Sequence, residues 1–286
     1  MDWPDQLVND IARRRSVIFL GSGVSRNAVN SVGRQPKTWH EFLTYAAGSL
    51  SPNQHIKTLI NEKDYLTACE VIRNTLGRSD FNDLLREEFL YPAYKPAQIH
   101  ESVFNLDSRL VATPNFDKIY ETYANAQAGG TVVVKHHFDP DVADQIRGTG
   151  RLVLKIHGTI DSPDRMIFTR REYAQAREKY RSFYAILEAL SLTHTFLFVG
   201  CGVNDPDLRL LLEDTAFRHP SSRPHYFTMP RTGMHQKVRE SLESSMNLSV
   251  ITYSAKDQHL ELRQSLQDLV AAVEQAREGY QTSLNW

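Results

Sequence analysis

Apolar runs of strand length recur along the chain at Val17 to Leu20, Leu110 to Thr113, Val132 to Val134, Leu152 to Ile156, Thr195 to Val199, His225 to Met229 and Leu248 to Tyr253. Helical periodicity fills most of the intervals between them. Strands alternating with helices predict an α/β chain with a doubly wound, mostly parallel sheet covered on both faces. In that architecture ligands sit beyond the carboxyl ends of the strands. Between Trp39 and Asp107 the strand signal stops. Phe81, Leu84, Leu85 and Phe89 recur at helical spacing there, and Leu66, Cys69, Ile72 and Leu76 do the same. The pattern predicts a helical insertion over 39–107 within a single domain spanning 1–286. Leu262, Leu266, Leu269, Val270 and Val273 mark one face of a last helix that packs on the sheet. Proline and glycine punctuate only short loops, so no flexible interdomain linker is expected.

Composition narrows the function classes. A chain of 286 residues with 41% hydrophobic content supports a packed core. The 33 basic and 34 acidic side chains nearly cancel, so the overall balance gives no support to a polyanionic partner. The run Arg13-Arg14-Arg15 ends a short leading helix, where it complements the helix dipole in solvent or touches phosphates. The opening Met1-Asp2-Trp3-Pro4-Asp5 is acidic and carries no apolar leader. No segment approaches the ~20 apolar residues of a membrane span, and the expectation is a cytoplasmic protein with no membrane partner. Cys69 and Cys201 are the two cysteines. They allow no disulfide framework, and a four-cysteine zinc site cannot be built from them within one chain.

Four strand ends carry candidate chemistry. The first apolar run leads directly into Gly21-Ser22-Gly23-Val24-Ser25. Glycines there let backbone N–H groups approach an anion, and a following helix would add its positive end, worth up to about 2 kcal/mol, which points to a phosphate-bearing ligand. The loop departs from the dinucleotide fingerprint, which needs a glycine at Arg26, and from a P-loop, which needs Gly-Lys-Ser/Thr. The second strand end is Thr113-Pro114-Asn115-Phe116-Asp117. Pro114 turns the chain towards a helix, placing Asn115 near its N-cap and Asp117 in its first turn, where capping and ligand roles fit equally. The third is Lys155-Ile156-His157-Gly158, in which His157 is either a structural histidine or a general base worth about 10² to 10⁴ in rate. The fourth is Gly200-Cys201-Gly202-Val203-Asn204-Asp205-Pro206, a second glycine pair followed by an ordinary helix start at Asp205. All four fall at the same sheet edge and describe one site.

The set of motifs resembles the Sir2 (sirtuin-like) family. Gly21-Ser22-Gly23-Val24-Ser25 is similar to its Gly-Ala-Gly-x-Ser loop around the NAD pyrophosphate. Thr113-Pro114-Asn115-Phe116-Asp117 is similar to its Thr-x-Asn-x-Asp motif, and Ile156-His157-Gly158 to its His-Gly motif. Gly200-Cys201-Gly202 stands where sirtuins carry Gly-Thr-Ser, and the matches run in family order. The four-cysteine zinc module and the Gly-Ile-Pro-Asp-Phe-Arg segment of the deacetylases are missing, and Pro36-Lys37-Thr38-Trp39-His40-Glu41-Phe42-Leu43 replaces the latter. That Pro-x-x-Trp-x-x-x-Leu stretch, with Gly-x-Gly-x-Asn-Asp-Pro, resembles the bacterial zinc-free Sir2-like subgroup that hydrolyses NAD in antiviral defence.

The resemblance implies a Rossmann-like fold and an NAD+ glycohydrolase that takes NAD as substrate, needs no zinc, and releases nicotinamide and ADP-ribose. Asn115 would hold the attacking water and a ribose hydroxyl, while His157 accepts the proton. Gly21, Ser22, Gly23 and Ser25 would bind the pyrophosphate, with Thr113 and Asp117 also on the cofactor and Gly200, Gly202 and Asp205 on the ribose side. Tyr253 and Lys256 would approach the adenine end. It further implies a homo-oligomer and, as partner, a separate ATPase or a nucleic-acid-guided defence protein. A zinc-free NAD-dependent protein deacylase and a non-catalytic NAD- or ADP-ribose-binding assembly subunit are the alternatives. Retention of both Asn115 and His157 weighs against the second.

Overall fold

A computed structural model describes residues 1–202 and 205–283. Its strands are β1 (Ser16–Leu20), β2 (Leu110–Thr113), β3 (Val133–His136), β4 (Leu152–Lys155), β5 (Thr195–Val199), β6 (His225–Pro230) and β7 (Leu248–Tyr253). They form one sheet in the order β3-β4-β2-β1-β5-β6-β7, and every neighbouring pair is parallel. This is the doubly wound arrangement that the alternating pattern predicts. The sheet runs one way from β1 to β2 and β4 and the other way to β5, so the strand order reverses beside β1. A crevice opens at such a point beyond the strand ends.

β1, β2, β4 and β5 are buried at every position because helices cover both faces, which is why they read as continuous apolar runs. Successive side chains go to opposite cores. Ile18 and Leu20 pack with Leu7 and Ile11 of helix Asp5–Ala12 and with Leu262, Leu266, Leu269 and Val273 of helix Lys256–Ser283. Val17 and Phe19 face Phe183, Leu187 and Leu190 of helix Arg181–Thr193 and Leu208 and Leu212 of helix Pro206–Arg218. The edge strand β3 is half-buried and ends two residues beyond its apolar run. Pairing with β4 continues through Lys135 and His136, polar positions that hydrophobicity alone does not flag.

Among the described residues, 39–107 holds helices and no strand. Phe42, Leu43, Ile56, Ile60, Cys69, Ile72, Phe81 and Leu85 make a third core with Phe116, Ile160 and Phe168, which follow β2 and β4. This helical layer therefore sits over the carboxyl ends of the strands. Helix Gln98–Asn105 packs instead on the sheet, through Ile99 and Val103. Among the described residues no helix is long and apolar enough to cross a membrane.

His225 on β6 makes stability depend on pH. Its Nδ1 accepts the Phe196 N–H at 3.3 Å, and burial pushes its pKa down to about 4. The unfolded chain, with a histidine pKa near 6.5, takes the proton first, so the stabilisation is whole above about 6.5 and is lost as pH falls towards the folded value. Acidification from pH 7 to 5 should cost about 2 kcal/mol through this residue. In urea unfolding at pH 7 and 5, His225→Gln should lessen the stability lost between them by about that much; an unchanged loss contradicts the assignment.

Candidate active site

A cleft of about 500 Å³ lies beyond the carboxyl ends of β1, β2, β4 and β5, under the helical layer. That volume is in the range of small-molecule sites. One wall is apolar: Trp39, Phe42, Phe116 and Phe168, with Phe168 centred 4.7 Å from both Trp39 and Phe116. Trp39 opens helix Trp39–Gly48 behind a capping box in which Thr38 and Glu41 satisfy each other's backbone N–H groups. Arg26 grips the same Glu41 (Nη2 to Oε1, 2.8 Å) and donates to the Pro36 carbonyl at 3.0 Å. The position that lacks the third fingerprint glycine thus fastens the glycine loop to the cleft's opposite wall.

The glycines of the two loops answer to each other. Gly21 N–H donates to the Val199 carbonyl and Gly23 N–H to the Gly200 carbonyl, both at 2.9 Å. A Cβ on Gly21 would stand 2.3 Å from the Gly200 oxygen, and one on Gly23 2.9 Å from it. Gly200 has φ +65, and its Cβ would meet Val24 N at 2.6 Å. Gly21, Ser22, Ser25 and Gly202 line the cleft, whereas Gly23 and Gly200 lie behind the wall. The helix after the loop, Ser22–Ser25, is a single turn. Val203 and Asn204 of the later motif lie outside the described residues. Gly21→Ala should cost about 1–3 kcal/mol by overpacking against backbone. Gly202→Ala, with open space around it, should leave urea unfolding unchanged; equal stability of the two variants contradicts the loop contact.

At the end of β2 a chain of hydrogen bonds crosses to β1. Thr113 Oγ1 donates to the Leu20 carbonyl at 2.8 Å and accepts the Asn115 N–H at 3.1 Å. Asn115 Nδ2 donates to the Gly21 carbonyl and to Ser25 Oγ, both at 3.0 Å. Ser25 Oγ in turn donates to Asp117 Oδ2 at 2.7 Å. With both amide hydrogens committed, the Asn115 oxygen is the acceptor left for a water or hydroxyl in the cleft. The following helix starts at Ile119, so Asn115 is not its N-cap and Asp117 precedes its first turn. Asp117 Oδ1 accepts the Ile119 N–H at 3.0 Å and closes the local turn instead. Beneath, the fully buried Lys155 reaches the Asp117 carbonyl and pairs with Glu121 at 2.8 Å.

Thr113 pairs with Lys155 in register, so Asn115 and His157 each follow by two residues at neighbouring strand ends. His157 is 2% exposed yet borders the cleft. Its Nδ1 lies 3.2 Å from the Tyr173 hydroxyl, which donates to Asp205 Oδ2 at 3.3 Å. Its Nε2 faces Asp207 Oδ2 at 3.5 Å. Burial alone would lower the imidazole pKa, but the Asp205 and Asp207 carboxylates outweigh it and hold the pKa above the ordinary value. Asp205 also caps helix Pro206–Arg218, its Oδ1 accepting the Leu208 N–H at 2.9 Å. Burial and the Asp205 charge push the Cys201 thiol up, away from nucleophilic use.

Tyr173, Arg177, Tyr184 and Asp207 complete this side of the site and carry no motif. The i, i+4 spacing of Tyr173 and Arg177 marks a shared helix face and nothing more. Tyr253 is buried in the core beside the first and last helices, and neither it nor Lys256 lines the cleft. Among the described residues no group of three or more His, Cys, Asp or Glu side chains is arranged to hold a metal ion.

A parallel, doubly wound sheet with a cleft at its switch point, apolar on one wall and polar at the strand ends, defines a Rossmann-like α/β protein. Residues 109–251 match the family model described as SIR2-like domain, and the chain belongs to that family. It is 26% identical over 228 residues to NAD(+) hydrolase ThsA of Enterococcus faecium, covering 77% of this chain and 44% of that protein. The protein of the same name from Acinetobacter baumannii is 24% identical over 256 residues, covering 88% and 50%. Defense-associated sirtuin 2 of Bacillus subtilis is 23% identical over 200 residues, covering 68% and 19%. The chain spans half or less of the length of these relatives.

Proposed function

We propose that this chain hydrolyses the nicotinamide–ribose bond of NAD, releasing nicotinamide and ADP-ribose. The observation that carries the reading is the pair at neighbouring strand ends: an Asn115 oxygen free to accept and a buried His157 on the same cleft wall. The similarity to the NAD(+) hydrolases of Enterococcus faecium and Acinetobacter baumannii supports the substrate.

Nicotinamide in NAD is already cationic and leaves as a neutral molecule with the C1′–N electron pair, so no acid is required. What remains is to place a water against C1′ and to take its proton. Asn115 Oδ1 orients the water, and His157 accepts the proton and returns it to solvent. Ser22 and Ser25 border the same wall and suit the pyrophosphate, with Gly202 and Asp205 towards the ribose.

The same reading treats 1–286 as one Sir2-like domain with a helical insertion at 39–107. It assigns the protein to the cytoplasm, as a zinc-free homo-oligomer that depletes NAD in antiphage defence alongside a separate ATPase or nucleic-acid-guided protein. The similarity to defense-associated sirtuin 2 of Bacillus subtilis supports the defence role. Purified chain incubated with NAD should release nicotinamide, and Asn115→Ala and His157→Ala should each lower the rate at least about 100-fold with circular dichroism unchanged. The rate should rise with pH as the imidazole loses its proton, with a midpoint above the ordinary 6.5 because the neighbouring carboxylates retain that proton. Unimpaired turnover in either variant overturns the mechanism.

A further inference from the structure

Each ring nitrogen of His157 faces a carboxylate, Nδ1 the Asp205 Oδ2 at 3.7 Å and Nε2 the Asp207 Oδ2. Nε2 is buried, makes no hydrogen bond in this conformation, and faces Asp207 Oδ2 at 3.5 Å. Asp207 is fixed from its other sides by Arg177 Nη1 at 3.1 Å and by the Tyr184 hydroxyl at 2.6 Å. Nδ1 meets the Tyr173 hydroxyl, which borders the cleft and also reaches Asp205. The charged and titratable groups around the ring are thus Asp205 and Asp207 from the start of one helix, Tyr173 and Arg177 from a second, Tyr184 from a third, and His137 beyond β3.

We propose that Asp207 is a positioning residue for His157: it keeps the hydrogen of the neutral ring on Nε2, so that Nδ1 receives the proton from the cleft through the Tyr173 hydroxyl. The reaction assigned to that proton rests on the hydrolase reading; the arrangement of the ring does not. With the Tyr173 hydrogen turned from Asp205 Oδ2 to Nδ1, the water proton passes to the Tyr173 oxygen as the water oxygen bonds to C1′, Tyr173 passes its own proton to Nδ1, and the C1′–N pair leaves with nicotinamide. Imidazolium then donates from Nε2 towards Asp207 and from Nδ1 to the Tyr173 oxygen, whose hydrogen turns to Asp205, before the extra proton returns to solvent. Every donor has an acceptor in both states. A carboxylate on one ring nitrogen fixes the tautomer and strengthens the other nitrogen as a base.

The test is NMR of the full chain labelled with ¹³C,¹⁵N-histidine, with His157 assigned through His157→Gln. The neutral wild-type ring should carry its hydrogen on Nε2. Asp207→Asn should lower the His157 midpoint by about one pH unit or more, and Arg177→Gln, which leaves the Asp207 carboxylate uncompensated, should raise it. In NAD cleavage, Asp207→Asn should lower kcat at least about tenfold with little change in KM and move the pH profile to lower pH. A wild-type hydrogen on Nδ1, or a midpoint that moves in neither variant, overturns the proposal. If Asp207→Asn fails to fold, the wild-type tautomer and Arg177→Gln decide it. Absence of NAD cleavage by the wild type overturns the hydrolase reading, while tautomer and titration still judge the role of Asp207.

Discussion

The close approach of two backbone turns, Gly21 to Gly23 after β1 and Gly200 after β5, is the constraint on which the site depends. Parallel pairing of β1 with β5 sets the strands at sheet spacing, and the Gly23 N–H bonded to the Gly200 carbonyl carries that closeness past the last residue of the ladder. Side chains at these positions would force the loops apart. With the loops together, the Gly21 carbonyl is fixed where the Asn115 amide reaches it, and Ser25 is brought between Asn115 and Asp117. One backbone contact between β1 and β5 thereby orients a side chain delivered by β2.

The central strands were legible because burial on both faces leaves continuous apolar runs, and β2 and β5 match their runs residue for residue. The half-buried edge strand β7 matches its run too. The edge strand β3 was legible only in part, since half of its pairing is made by polar residues. The site was legible where backbone geometry constrains residue type. Glycines that touch each other leave a pattern, as does a histidine before Gly158, whose φ is +90. The late helix start at Ile119 was not legible, because Asn115 is spent across the sheet on Gly21 and Ser25 rather than on its own helix. Nor was the setting of His157, since Tyr173, Tyr184 and Asp207 come together only through tertiary packing of three helices. Arg26 shows the same limit: its partner Glu41 lies across the cleft in the helical layer.

Two polar systems meet at the carboxyl end of β4 and carry different electrostatics. Lys155, pointing below the cleft, is matched by Glu121 and the Asp117 carbonyl, a charge neutralised inside the protein. Two residues on, His157 stands among carboxylates that favour its charged form. The first arrangement keeps Asp117 and Ser25 in place; the second sets a titratable ring at the cleft wall. Adjacent stretches of one strand end thus combine a paired side chain with a titratable ring, and burial strengthens the interactions of both.

The buried Lys155–Glu121 pair also shapes how this sequence can drift. Losing either partner alone strands a charge in the buried interior, a change worth about 3–5 kcal/mol, and replacing both with apolar residues would still leave the Asp117 carbonyl without its Lys155 donor. The two positions lie 34 residues apart (155 − 121) on different elements. A change at either position thus disturbs the support under Asp117 and Ser25, even though neither residue lines the cleft.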